Sequence, residues 1–124
     1  MKCAALPGRA YFEDRTIMYV RVNVLSYIDV LLELSKQAER VMMDLPSSTV
    51  YRERSRFECQ KKSVLALWKA LCDLHNGAPS SLIVRQLRGV CFDDVVTESI
   101  KEPMLEIYQD VLRYLRKRYD INLS

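Results

Sequence analysis

The chain has 124 residues, of which 49% are hydrophobic and 28% charged, with a formal net charge of +3. This length and balance are typical of one globular domain, and they exclude an intrinsically disordered chain, which has few apolar residues. Three glycines and four prolines are too few for the many turns of a β-sandwich or barrel, so we expect long helices.

The N-terminal residues MKCAALPG contain a four-residue apolar stretch that Pro7 ends, which is too short for the core of a signal peptide. No apolar run in the sequence approaches the ~20 residues that cross a bilayer. The four cysteines, Cys3, Cys59, Cys72 and Cys91, form no C-x-x-C pair, so we expect reduced thiols. These features predict an intracellular protein, in the cytoplasm or nucleus, with no membrane partner.

Residues 16–32, TIMYVRVNVLSYIDVLL, fit two periods. The alternating apolar residues at 18–24 fit a strand, which a helix capped by Ser26 would follow. A heptad series explains a much longer stretch: Ile17, Val20, Val24, Tyr27, Leu31, Leu34, Ala38, Val41 and Leu45. The longer series favours one helix over about residues 11–45, ended by Pro46.

A second apolar stripe runs beside this heptad seam and consists of Met18, Val22, Leu25 and Leu32. A helix that is apolar on more than one face must be covered on more than one face. The sequence therefore predicts either the central helix of a bundle or a helix that also supplies a subunit interface. The candidate partner-binding residues lie on the seam: Val20, Val24, Leu31 and Leu34.

A second long helix is expected after Ser47 and Ser48, which are candidate N-caps, and it should end near residues 76–77. Its seam residues are seven apart: Val50, Phe57, Val64 and Leu71. Arg54 and Lys61 occupy the intervening positions of its first half. That half is therefore only weakly amphipathic, and we expect it to project beyond the best-packed core.

A short helix is expected at residues 82–88, stopped by Gly89. The acidic pair at 93–94 can cap a segment up to Lys101, and Pro103 suits the first turn of the last helix. That helix carries a broad apolar stripe: Met104, Ile107, Tyr108, Val111, Leu112, Leu115 and Tyr119. The predicted fold is an all-α single domain over 1–124, a helical bundle in which residues 1–10 are less ordered.

Charge is uneven along the chain. Residues 46–77 contain six basic and three acidic residues, a net of +3, whereas residues 93–110 contain one basic and six acidic residues, a net of −5. The basic stretch near Arg54 and the acidic stretch near Glu102 can therefore face each other, within one bundle or between subunits. Such pairs steer register and partner choice more than they add stability.

The basic residues also suggest an alternative function, a nucleic-acid-binding helical protein that neutralises phosphates. The residues concerned are Arg52, Arg54, Arg56, Lys61, Lys62, Arg113, Arg116, Lys117 and Arg118. Against this, cations in a terminal helical turn complement the macrodipole, and glutamates interrupt the first cluster. A near-neutral domain also lacks the strongly basic character of a dedicated nucleic-acid binder.

Candidates for catalysis and metal binding are few. Cys72 and His75 have a spacing that can hold zinc, but Cys59 points to another side of the same helix, so we expect no metal. The chain has one histidine and no glycine-rich phosphate loop. Acidic pairs at 98/102 and 102/106 are typical of a solvated helix edge. We therefore expect a protein that is not an enzyme, with no cofactor and no small-molecule substrate.

The excess of apolar surface on the first helix favours a non-enzymatic protein–protein interaction module. The sequence predicts a small adaptor, regulator or complex subunit that acts through helix–helix packing. Its partner would be another protein or a second copy of itself, with a dimer as the favoured homo-oligomer.

Overall fold

The computed structural model describes the backbone of residues 9–123 and the side chains of residues 24–123. Residues 1–8 lie outside the described part, and the prediction of lower order at residues 1–10 falls mostly on them. The described part has no strand, and its helices are α1 (Arg9–Met43), α2 (Tyr51–His75), α3 (Ser80–Arg88) and α4 (Glu98–Tyr119), with a 3-10 turn at Phe92–Asp94. The prediction of an all-α helical bundle is confirmed.

The ambiguous residues 16–32 lie within the single continuous helix α1. From Val24 onward, the most deeply buried apolar residues of α1 follow the predicted seam: Val24, Leu31, Leu34 and Ala38. The helix ends at Met43, two residues earlier than expected. Pro46 disfavours the helical conformation for the residue before it, so the last turn is already loosened at Leu45.

α2 is the central element of the bundle, because it contacts α1, α3, the 3-10 turn and α4. α1 packs along α2 and also touches α4, so one of its sides is left without a neighbouring helix among the described residues. The buried apolar residues of α1, α2, α3 and α4 form one cluster. All the buried residues of α2 lie from Gln60 onward, so the first turns of this helix extend past the core.

The predicted N-caps of α2 were wrong. The residue before the helix is Val50, and no side chain caps the helix. Ser47 and Ser48 instead lie in a turn that closes with a hydrogen bond from the Thr49 N–H to the Pro46 carbonyl, 2.9 Å. Because the backbone hydrogen bond is made within this turn, the serine side chains are not placed to accept from the first helical N–H groups.

The start of α4 was also predicted wrongly. Pro103 lies inside the helix, which begins at Glu98, and the acidic pair 93–94 belongs to the 3-10 turn. The α4 helix begins earlier because Gln60 on α2 supplies an acceptor to the segment that precedes it. Its side-chain oxygen accepts hydrogen bonds from the backbone N–H groups of Val96, at 2.9 Å, and Thr97, at 2.8 Å.

Candidate interaction surface

Three of the four predicted partner-binding residues are buried inside the chain's own core. Val24, Leu31 and Leu34 are between 0% and 7% exposed, and they pack in the cluster that α2 and α4 share. The side chain of Val20 lies outside the described residues. The seam therefore faces the protein's own helices, and the exposed apolar side chains of α1 lie on a different face.

Two exposed apolar residues of α1, Leu25 and Leu32, belong to the second stripe of the sequence, whereas the exposed Val30 and Met43 do not. Leu25 is 51% exposed and Leu32 is 41% exposed, although both are large and apolar. They are seven residues apart and therefore share one face of the helix. Met18 and Val22, the other members of this stripe, have side chains outside the described residues.

Two contacts show how α1 and the turn that follows it lie along α2. The Lys61 ammonium is 2.8 Å from a Glu39 carboxylate oxygen, and the Arg54 guanidinium donates to the Pro46 carbonyl at 2.6 Å. From the first contact to the second, the residue number rises by seven on the α1 side, from Glu39 to Pro46. It falls by seven on α2, from Lys61 to Arg54. The two helices are therefore antiparallel, and they meet in heptad steps along this edge.

One heptad step beyond the Lys61–Glu39 pair, the same register places Leu32 opposite Trp68. Trp68 is half-buried and packs against the core, and Leu65, three residues before it on α2, is 37% exposed. We call Leu25, Leu32, Leu65 and Trp68 the α1–α2 edge. Leu65 was not predicted from the sequence. It belongs to a stripe of α2 whose residues are four and three positions apart, and this stripe marks a surface only once Leu32 is known to lie beside it.

The α1–α2 edge combines apolar side chains with a polar border. Charged pairs flank it, Lys61–Glu39 at one end and Lys36–Glu33 at 3.4 Å on α1. The Trp68 indole N–H is buried without a hydrogen-bond partner among the described residues. An apolar centre with an aromatic anchor and a charged border is the usual composition of a protein-binding surface.

Several residues of the alternative nucleic-acid surface are already engaged within the chain. Lys61 pairs with Glu39 of α1, Arg54 donates to the Pro46 carbonyl in the turn after α1, and Arg113 pairs with Asp110. The Arg118 guanidinium lies 5.7 Å from the centroid of the Tyr119 ring. The other basic residues of this prediction are exposed: Arg52, Arg56, Lys62, Arg116 and Lys117.

The two basic clusters also lie at different ends of the bundle. Arg54 is level with Pro46, whereas Asp110 next to the second cluster accepts a hydrogen bond from the Tyr27 hydroxyl. Pro46 and Tyr27 are 19 residues apart along the chain, and at 1.5 Å per helical residue this separation is roughly 30 Å. The clusters do not form one continuous phosphate-binding face.

The expected pairing of the basic stretch near Arg54 with the acidic stretch near Glu102 does not occur within the described chain. The ion pairs of the described residues are Lys36–Glu33, Lys61–Glu39 and Arg113–Asp110. Arg54 uses a backbone carbonyl instead, and Glu102 is exposed. The charge asymmetry therefore leaves most acidic side chains of α4 in solvent.

Chemically reactive side chains are scattered. The described residues contain no group of three or more histidine, cysteine or acidic side chains placed to hold a metal ion. Burial, helped by the neighbouring charge of Asp73, raises the pKa of the Cys72 thiol, which lowers the fraction of reactive thiolate. Glu98, Glu102 and Glu106 are exposed on α4, as expected for a solvated edge.

The chain matches no family model, and no curated protein or solved structure is similar enough to count as a match. None of the described helices has the combination of length and apolar character required to traverse a bilayer.

Proposed function

We propose that the protein is a non-enzymatic, intracellular protein–protein interaction module, a small adaptor, regulator or complex subunit that binds through the α1–α2 edge. The single observation that carries this proposal is the exposure of Leu25, Leu32 and Leu65 beside Trp68 on two adjacent helices. Single exposed leucines are ordinary, but apolar side chains grouped on one helix pair favour a binding role.

Trp68 provides the anchor of this surface. A tryptophan near the centre of an apolar patch is the residue type that contributes most to binding energy in protein interfaces. Its N–H is buried without a partner among the described residues, which costs about 1–3 kcal/mol in the isolated chain. A partner that brings a carbonyl or carboxylate oxygen to this position, with a small rotation of the indole, would remove that cost.

The proposal is tested with a photo-crosslinking amino acid, benzoylphenylalanine, placed at Leu32 or Leu65 of the full chain inside cells that produce it. Leu105 on α4 is the matched control, because it is also a leucine and is 39% exposed but lies outside the α1–α2 edge. We expect protease-sensitive adducts from positions 32 and 65 in several-fold higher yield than from position 105.

Equal yields at all three positions would contradict the proposed surface. Adducts that nuclease removes and protease leaves intact would instead support the nucleic-acid alternative. An absence of adducts at positions 32 and 65, with the folded chain present, would also overturn the proposal.

A further inference from the structure

The outward face of α1 carries its charges in a fixed order. Two acidic residues, Asp29 and Glu33, are followed by two basic residues, Lys36 and Arg40, and all four side chains are exposed. Their spacings of four, three and four residues place them on one stripe of the helix. Leu32 lies beside the acidic half of this stripe, between Asp29 and Glu33.

This order of charges is complementary to the same order on a second helix that runs in the opposite direction. If two such helices pack side by side in opposite directions, the acidic half of each faces the basic half of the other, twice over. In a parallel arrangement, acid would face acid and base would face base, which is unfavourable. A two-fold symmetric interface uses the same patch on both chains and therefore needs this kind of self-complementarity.

We infer that the partner of the α1–α2 edge is a second copy of this chain, with the two α1 helices antiparallel and the two-fold axis between Glu33 and Lys36. This inference rests on the proposed function and names its partner. In this register Asp29 of each chain lies opposite Arg40 of the other, and Glu33 lies opposite Lys36.

The same register also brings apolar side chains close to the axis. The two Leu32 side chains lie on either side of it, about five residues or roughly 7.5 Å apart along the paired helices. Leu65 and Trp68 on α2 flank the centre, next to the two Leu32 side chains. The apolar residues would provide the affinity, and the charges would set direction and register.

A charge exchange tests the antiparallel arrangement. One variant carries Asp29→Lys with Glu33→Lys, so its α1 face is entirely basic, and the other carries Lys36→Glu with Arg40→Glu, so its face is entirely acidic. We expect wild-type chain to be dimeric by light scattering across a micromolar dilution series. Each variant alone should bind itself at least about tenfold more weakly, and an equimolar mixture should form a heterodimer with near wild-type affinity.

Two controls accompany this experiment. Reversal of two exposed charges outside the edge, Glu102→Lys with Glu106→Lys on α4, should leave the dimer unchanged. Leu32→Asp should give a folded monomer, whereas Leu105→Asp should remain a dimer, with circular dichroism as the check on folding.

A wild-type chain that stays monomeric over the whole dilution series would overturn the inference, as would a mixture of charge variants that remains monomeric. Dimers that resist both charge reversal and Leu32→Asp would place the contact elsewhere. The crosslinking experiment separates these failures from failure of the proposed function. Adducts from positions 32 and 65 to a different protein leave the interaction module intact and exclude only the second copy as its partner.

Discussion

Gln60 is a fully buried polar side chain that joins the central helix to the start of α4. Its oxygen accepts two backbone hydrogen bonds, and its amide nitrogen has no partner among the described residues. Helix N-termini leave N–H groups without intrahelical partners. Here Gln60, 36 positions before Val96, accepts hydrogen bonds from the backbone just before the helix.

We predict that Gln60→Ala lowers the free energy of unfolding by about 1–3 kcal/mol, because the N–H groups of Val96 and Thr97 would lose their acceptor in a buried site. Urea denaturation monitored by circular dichroism measures the change. Gln109→Ala, at an exposed position of α4, is the control and should change stability by no more than about 0.5 kcal/mol. Equal effects of the two substitutions would show that the Gln60 contacts contribute nothing.

The cysteines of the described part differ in environment, since Cys91 is exposed and Cys72 has a raised pKa from burial. The thiolate is the reactive form, so we predict that iodoacetamide labels Cys72 more slowly than Cys91 at pH 8. Mass spectrometry of the digested chain after short pulses measures both rates, and in denaturant the two rates should converge. Labelling of Cys72 at the rate of Cys91 in the folded chain would contradict the prediction.

The raised pKa also has a consequence for stability. The folded chain binds the Cys72 proton more tightly than the unfolded chain does. The resulting stabilisation is present below the unfolded pKa and is lost as pH rises through the folded pKa.

At the scale of single elements, α4 contains its own irregularity. Pro103 is the sixth residue of the helix and has no N–H to donate to the Ser99 carbonyl. The helix tolerates it because the missing bond lies close to the first turn, where few intrahelical bonds have formed. The Ser99 hydroxyl is held by a hydrogen bond from the Gln37 side chain of α1 at 2.6 Å.

We predict that Pro103→Ala raises the free energy of unfolding, by at most about 3 kcal/mol, since it restores one hydrogen bond and improves helix propensity. The gain is reduced by the greater freedom of the unfolded chain once proline is removed, about 0.4–1 kcal/mol. Thermal and urea denaturation measure it, with Glu106→Ala in the same helix as a control expected to be nearly neutral. A destabilised Pro103→Ala variant would show that the proline ring packs productively.

The helices themselves were predictable from sequence, whereas their caps were not. The heptad seam of α1 spans four repeats, so a local alternation of a few residues at 18–24 carries less information than the longer period. The N-terminal boundaries of α2 and α4 were misplaced because the expected caps were serine or aspartate within a few residues. At α4 the acceptor comes from another helix instead.

At the scale of the whole molecule, the adjacent residues Leu31 and Leu32 face opposite environments. Leu31 is completely buried between helices, whereas Leu32 is 41% exposed on the α1–α2 edge. A helix turns by 100° per residue, so neighbours in sequence lie on different faces. The fold and the candidate interface are therefore separable by mutation.

We predict that Leu31→Asp unfolds the chain, because it removes a buried side chain worth about 2–5 kcal/mol and adds an unpaired buried charge. Leu32→Asp should keep its helical circular dichroism and lose at most about 1 kcal/mol of stability. The measurements are made on dilute protein, since dimerisation would add an apparent stabilisation by mass action. A folded Leu31→Asp variant would show that the assigned core is wrong.

The proposed site and the site predicted from the sequence consist of different residues. The apolar pattern indicated that α1 has more apolar surface than one face can bury, and both stripes of the helix are visible in it. We predicted partner binding on the seam, whose members Val24, Leu31 and Leu34 are buried. The choice between two apolar stripes depends on which one the other helices cover, and no periodicity within α1 contains that information.

The sequence by itself determined that this chain is helical, because period, propensity and the scarcity of glycine and proline act locally along the backbone. Only the tertiary structure decided which faces are covered. The antiparallel register of α1 and α2, set by contacts such as Lys61–Glu39, brings Leu32, Leu65 and Trp68 onto one edge. A surface assembled from two helices is a property of their relative placement, which depends on side-chain packing between residues far apart in sequence.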